Sequence, residues 1–287
     1  MDRAERAGGR REAERLNDIL GGQPADASLL AEIYDLEHDA IHEDLAFYRQ
    51  IARRHPGAVI DLGCGSGRLF GPLLAGGATR LVGIDGSPSL LERAEGRIEA
   101  DGYLRSARSE GRIELVEGDV RRVRRRDRFA LAILAGVVAH LDGPEDALRA
   151  LVCARRLLAR DGVLVVDTLG PGGLPAHDLP LSMDWERSED GRRMVRRSKL
   201  ERRETPEGLR VSYATLTDVV RADGTISRLP ASWRLWYPSP EALVALAAEA
   251  ELAVESVFGS HDLDPLNEES ERCIVVARPT TADPGKG

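Results

Sequence analysis

Hydrophobic and polar positions alternate along this chain in three successive rhythms. From Ala27 to Ala52 the apolar residues, among them Leu29, Leu30, Ile33, Tyr34, Ile41, Leu45, Tyr48 and Ile51, recur every three or four positions. That spacing predicts one or two amphipathic helices. Short and almost wholly apolar runs come next: AVIDLG at 58–63, ATRLVGID at 78–85, RIELVEGD at 112–119, FALAILAG at 129–136 and VLVVDTL at 163–169. Between them lie helical stretches with recognisable ends. GRLFGPLLAGG stops at paired glycines, and SPSLLERAEGRIEADG opens with Ser87 as N-cap and Pro88 at the first helical position. GPEDALRALVCARRLLARDG has an acidic first turn and Arg160 near its end, as the helix dipole favours. Five apolar strands alternating with helices predict an α/β fold, its parallel sheet covered on both faces.

The third rhythm begins after Leu169. Residues 171–188 carry prolines and no period, and are expected to form a loop. RRMVRRSKLERRE, GLRVSYATLTDVVRADG and TISRLPASWRLWY predict three antiparallel strands, with turns at PEG and ADG. SPEALVALAAEAE predicts a helix with Ser239 as N-cap and Pro240 behind it, and LAVESVFG and RCIVVARP predict two closing strands. Residues 1–25 are polar and glycine-bearing and are expected to be mobile, as is the terminal TTADPGKG.

Composition narrows the class of protein. Of 287 residues 42% are hydrophobic and 31% charged, which is ordinary for a globular chain. The net charge of −8 offers no global attraction to nucleic acid or anionic membrane. No apolar run approaches the roughly 20 residues of a membrane span, and the first 25 residues lack a signal-like apolar stretch. Cys64, Cys153 and Cys273 are odd in number and share no metal-ligand spacing. The expectation is a cytoplasmic monomer or homodimer that holds no metal.

The candidate chemistry starts at VIDLGCGSG, residues 59–67. A strand that feeds glycines opening a helix brings backbone N–H groups up to a polar or anionic ligand. A dinucleotide fingerprint would read Gly-x-Gly-x-x-Gly. Here the third glycine, Gly67, comes one position early and Arg68 stands where that fingerprint needs glycine. A phosphate-binding Gly-Lys-Ser/Thr ending is also missing. Asp85 and Asp119 end the second and third apolar runs, and the carboxyl ends of parallel strands are where such sheets bind ligands.

Asp61-x-Gly63-x-Gly65-x-Gly67 followed by Asp85 and Asp119 resembles the class I S-adenosylmethionine (AdoMet)-dependent methyltransferases, over roughly residues 30–278. The resemblance implies a Rossmann-like seven-stranded, mostly parallel sheet with a reversed last strand. It also implies a helical lid (26–55), an AdoMet-binding core (56–170), an inserted antiparallel β cap (171–238) and a last helix and strands (239–278), in one domain ahead of a tail at 279–287. By the same resemblance Gly63, Gly65 and Gly67 approach AdoMet, while Asp61 orients the loop near the cofactor's amino group. Asp85, with Gly86 beside it, accepts the ribose hydroxyls; Asp119 meets the adenine amino group, with Val120 beside the ring; and Ala135 and Tyr34 complete the cofactor set, Tyr34 closing over it.

Methyl transfer from a sulfonium is an in-line displacement, so the protein mainly supplies alignment and a dry site. A shared catalytic motif is not required. His140, just past the fourth strand, suits a general base by its near-neutral pKa, or else packs beneath the next loop. In EIYDLEHDAIHEDLAFY, which resembles the lid helices of small-molecule methyltransferases, Tyr34 and His38 are further catalytic candidates; the plainer reading is an amphipathic helix with Asp35, Glu37 and His38 in solvent. Trp185, Trp233, Arg234 and Trp236 are substrate-side candidates. The rings are placed to make an apolar wall for a flat or cationic acceptor, or to fill the core of the insertion. RRVRRRDR (121–128) has no interleaved aromatic residues of the kind that stack bases, and reads as a solvated loop. The function expected is methyl transfer from AdoMet to an N, O or C nucleophile of a small molecule, of the specialised-metabolite kind, with an indole-like or other aromatic acceptor in view. The rivals are an RNA or protein methyltransferase and a protein that holds AdoMet without transferring its methyl group.

Overall fold

The computed structural model describes residues 26–189 and 191–280, so the mobility expected of residues 1–25 and of 281–287 falls outside the described residues. Two helices come first, α1 (Ala27–His38) and α2 (Leu45–Arg54). Strands and helices then alternate through β1 (Gly57–Leu62), α3 (Phe70–Ala75), β2 (Ala78–Asp85), α4 (Pro88–Ala100) and α5 (Gly102–Ser109). They continue through β3 (Ile113–Glu117), β4 (Phe129–Ala135), α6 (Pro144–Leu157) and β5 (Leu158–Leu169). Four long strands follow, β6 (Leu179–Glu189), β7 (Arg192–Thr205), β8 (Gly208–Val220) and β9 (Ile226–Pro238). The chain closes with α7 (Pro240–Glu249), β10 (Leu252–Phe258) and β11 (Arg272–Pro279). Among the described residues no helix is long and apolar enough to cross a membrane.

Seven strands form one sheet in the order β3-β2-β1-β4-β5-β11-β10. β1 pairs in parallel with β2 and β4, whereas β11 runs antiparallel to both β5 and β10. This is the reversed strand that the resemblance implied. Strand side chains alternate between faces, and the two sets meet two cores. Ile60, Leu62, Leu134, Leu164 and Val166 pack with residues of α6 and α7. Val59, Leu81, Leu131, Ile133 and Val165 pack with residues of α2, α3, α4 and α5. The sheet is therefore sandwiched between helical layers, as wholly apolar parallel strands require.

The chain divides into two compact units. The larger comprises 31–174, 205–209 and 236–280 and contains the seven-stranded sheet; the smaller takes in 26–30, 175–204 and 210–235, most of a four-stranded sheet ordered β6-β7-β8-β9.

Three local expectations need correction. Residues 171–188 are not all loop, since β6 occupies Leu179–Glu189. Pro180 hid it, because proline breaks central strands; β6 lies at an edge of its sheet, where a missing N–H is tolerated. Leu181 and Met183 are 52% and 64% exposed, so the usual burial signal is also weak. Second, the helix carrying Cys153 ends at Leu157, and Arg160 lies in β5; Arg155 and Arg156 are the cations of its last turn. Third, Asp101-Gly102 ends α4 as expected but also opens a further helix, α5, which the sequence reading did not separate. The Asp101 carboxylate accepts the N–H groups of Tyr103 and Leu104 and caps α5. The caps at Ser87 and Ser239 form as read from the sequence, accepting from Leu90 N and Ala242 N.

Candidate functional site

The carboxyl ends of β1, β2 and β4 and the helix α1 bring a set of polar groups together within the larger unit. Gly63 and Gly65 adopt φ of +82° and +55°, a left-handed region costly for other residues. A Cβ on Gly63 would stand 2.3 Å from Val137 Cγ2, and one on Gly65 would stand 3.2 Å from the Tyr34 hydroxyl. Bare backbone here lets the turn close against the β4 exit on one side and α1 on the other.

Arg68 and Arg97 tie the N-terminal helices to this turn. Arg68, the residue that spoils a dinucleotide fingerprint, forks onto Asp44 with bonds of 2.7 and 2.5 Å and donates to Ile41 O at 3.1 Å. Arg97 donates to Ser66 O at 2.9 Å and to Asp39 at 2.6 Å, and Arg93 pairs with the buried carboxylate of Asp35. Asp35 is therefore no solvated residue, contrary to the plainer reading of α1. These bonds hold α1 across the glycine turn, with Tyr34 over Gly65.

Two carboxylates sit beneath. The Asp85 oxygens accept from Gly65 N and Ser87 N, both at 2.8 Å, and each keeps a lone pair for a further donor. Asp61 is 1% exposed, and its Oδ2 has no hydrogen-bond partner. Burial, reinforced by the nearby charge of Asp85, pushes its pKa up to about 7. A buried carboxylate oxygen without a donor is costly and marks a place where a ligand donor is expected. This fits the ammonium end of AdoMet, as the half-buried Asp85 fits a ribose.

Asp119 differs from expectation. Its carboxylate is already held by Arg121, through Nε at 2.8 Å and Nη2 at 2.8 Å, and Arg121 also reaches Asp146 at the start of α6. The carboxyl is held below its usual range by that guanidinium. Only the lone pairs left over from this pair are open to a further donor. Val120 is buried beside it, Ala135 is half-buried at the β4 end, and Gly86 is open to solvent at the β2 exit.

The candidate bases face this region. His38 Nδ1 lies 2.8 Å from Tyr34 O, so Nδ1 carries the proton and Nε2 keeps its lone pair. Its ring stacks on Tyr34 at 4.0 Å. Burial lowers the His38 pKa, and burial pushes the Tyr34 phenol up to about 12. Tyr34 is thus a hydrogen-bond donor at neutral pH and cannot serve as a base. His140, in the short turn Val138–His140, keeps a solvent-exposed face, which argues against packing beneath a loop. Protein mass around its other face lowers its pKa, and it senses the charges of both Asp85 and His38.

The tryptophans do not act together. Trp236 is 1% exposed in the core of the larger unit, among Leu243, Leu252 and Cys273, and is a packing residue rather than a pocket wall. Trp185 and Trp233 belong to the smaller unit and are half-buried there, and Arg234 is exposed. Trp233 stacks on Tyr213 at 5.8 Å, and Arg196 donates to the Tyr213 hydroxyl at 2.9 Å. Arg187 lies 5.1 Å over the Trp185 ring.

One polar node escaped sequence reading. Asp167 on β5 is 2% exposed and accepts from Tyr48 Oη at 2.6 Å, His261 Nε2 at 2.8 Å and Arg272 Nε at 2.9 Å. Burial alone would raise its pKa, but the His261 bond and the Arg272 charge outweigh that and hold it low. The signal was available: an acid inside VLVVDTL must have partners.

Residues 59–162 match the family model described as a methyltransferase domain. A tRNA U34 carboxymethyltransferase of Shewanella frigidimarina is 34% identical over 111 residues, which is 39% of this chain and 31% of that protein. The chain thus spans about a third of the length of the curated relatives it matches. Among solved structures, an S-adenosylmethionine-dependent methyltransferase from Clostridium acetobutylicum superposes with a TM-score of 0.68 at 16% identity, covering 88% of this chain and 98% of the other. A sugar N-methyltransferase from a Streptoalloteichus species superposes with a TM-score of 0.68 at 18% identity, covering 87% and 92%. At such identities the superpositions speak for the fold, and the strand order, the glycine turn and the matched segment agree with it. Residues 59–162 thus match a methyltransferase domain, and the chain as a whole has the fold of S-adenosylmethionine-dependent methyltransferases.

Proposed function

We infer that the protein transfers a methyl group from AdoMet to an N, O or C nucleophile of a small molecule of the specialised-metabolite kind. The observation that carries the cofactor side is the buried Asp61 oxygen left without a donor two residues before the glycine turn. Bound AdoMet supplies an activated methyl sulfonium, and the chain's own residues do the rest. Asp61 receives the ammonium, Gly63 and Gly65 admit the nucleoside against bare backbone, and Asp85 accepts the ribose hydroxyls. Tyr34 donates from above and α1 excludes water. Neutral His140 removes a proton from an acceptor that carries one, and His38 presents Nε2 as a second acceptor, since burial keeps both rings uncharged near pH 7. Within the smaller unit the stacked Trp233 and Tyr213 offer an aromatic face for acceptor recognition. The solved neighbour that is a sugar N-methyltransferase supports a small acceptor.

A second reading, methylation or carboxymethylation of tRNA, is favoured by the tRNA-acting relatives. Methyl-labelled AdoMet offered with a metabolite extract and, separately, with total RNA from the same cells separates the two. Label is expected in the small-molecule fraction; label in RNA alone would overturn that choice, and label that never leaves AdoMet would overturn catalysis.

A further inference from the structure

The arginine run at 121–128 is not an isolated solvated loop. It forms one wall of an open groove of about 1060 Å³, whose other wall is α6 and the start of β5. Nine arginines line this groove, with no acidic and no aromatic residue among the lining side chains. The convergence follows from helical spacing: Arg149, Val152, Cys153 and Arg156 recur at three and four positions and share a stripe of α6. Leu148, Val152 and Leu157 form an apolar floor along which arginine stems can lie.

Not all of these charges are neutralised. Arg121, Arg125, Arg149 and Arg155 are paired with carboxylates that stand outside the lining. Arg122 is 80% exposed and approaches Asp119 only at 3.8 Å, and Arg128 donates to main-chain carbonyls alone. Among the described residues no carboxylate pairs with Arg124, Arg156 or Arg160, all three of which are exposed. Five cations therefore project into one groove on a chain whose net charge is −8. Alongside α6 the groove follows the helix from Leu148 to Leu157, about 15 Å. It ends at Arg160, near the start of β5 and away from the strand ends that carry Asp61 and Asp85.

We propose that this groove binds a single-stranded phosphodiester chain through its backbone. Guanidinium forks match phosphate geometry, and a concave track suits a strand better than a flat lipid surface. The lack of aromatic platforms means that contact is made to phosphates rather than bases, hence without sequence preference. The site is independent of the methyl-transfer reading, because none of the five cations belongs to the cofactor set.

The test measures binding of fluorescent oligouridylate, oligothymidylate and polyglutamate across a salt series. Wild type is compared with the Arg124→Ala/Arg156→Ala/Arg160→Ala variant and with an Arg53→Ala/Arg54→Ala control, which removes exposed cations at the end of α2. The triple variant is expected to lose about tenfold or more in strand affinity and to flatten the log–log salt slope by about 2, at roughly 0.7 per lost phosphate contact. The control variant should bind as wild type does, and AdoMet affinity should be unchanged in all three proteins. Preference between the two oligonucleotides identifies RNA or DNA as the source of the strand. No strand binding at low salt, binding indifferent to the triple substitution, an equal loss in the control, or polyglutamate held as tightly with the same arginine dependence would each overturn the proposal.

Discussion

At the scale of single residues, the site is a matter of how burial sets charge. Asp61 is the clearest case. Its pKa is raised in the folded chain to about 7, far above the value of an unfolded aspartate, so the fold favours its protonated form. Its effect on stability runs in one direction: the contribution is fully present only below the pKa of an unfolded aspartate, about 4, and is lost as pH rises from there through about 7. Asp61→Asn removes this dependence. The stability gap between variant and wild type is expected to widen in the variant's favour by about 1 kcal/mol from pH 6 to pH 8, as read by thermal melts without AdoMet. A variant less stable than wild type at both pH values would show that Asp61 is ionised and satisfied in the fold. His140 is tested by turnover. His140→Ala should lower kcat by about 10²-fold or more while AdoMet affinity stays the same; unaltered turnover would leave the residue with no role as a base. The spacing of Asp61, Asp85 and the glycines was legible because each ends a strand or opens a turn, and such positions announce themselves locally. That Asp119 is already paired with Arg121 was not legible, since nothing in EGDVR says which way the guanidinium turns.

At the scale of elements, most of the β/α alternation could be read because burial on both faces leaves strands wholly apolar and helices periodic. Two of the three misreadings come from a local break signal read too simply, and the third is a helix read past its end at Leu157. Pro180 is harmless in an edge strand, and Asp101-Gly102 ends one helix while capping the next. Long-range polar contacts were out of reach in a different way. Asp167 meets His261, Arg272 and Tyr48 across 94, 105 and 119 residues of chain, and no local pattern encodes such pairings. This node joins β5 to β11, α2 and the 259–271 connection. Asp167→Ala leaves the Arg272 charge without its carboxylate in a largely buried setting and should cost about 3–5 kcal/mol in denaturant unfolding. A loss under about 1 kcal/mol would mean that solvent reaches the node and that it contributes little.

At the scale of the whole molecule, the larger unit holds a mostly parallel sheet with one reversed strand and a glycine turn after β1, and the smaller unit holds most of a four-stranded sheet. The chemistry of the acceptor is less constrained than that of the cofactor, because an intrinsically activated methyl donor asks for alignment and dryness more than for a fixed set of catalytic groups. The central claim is accordingly about the cofactor. Calorimetric titration of AdoMet and of NAD into wild type and Asp85→Ala tests it most directly. AdoMet is expected to bind wild type in preference to NAD and to lose about 1–3 kcal/mol in the variant, as unpaired hydroxyls and lost charge-assisted bonds require. Preference for NAD, or AdoMet binding that ignores the substitution, would contradict it.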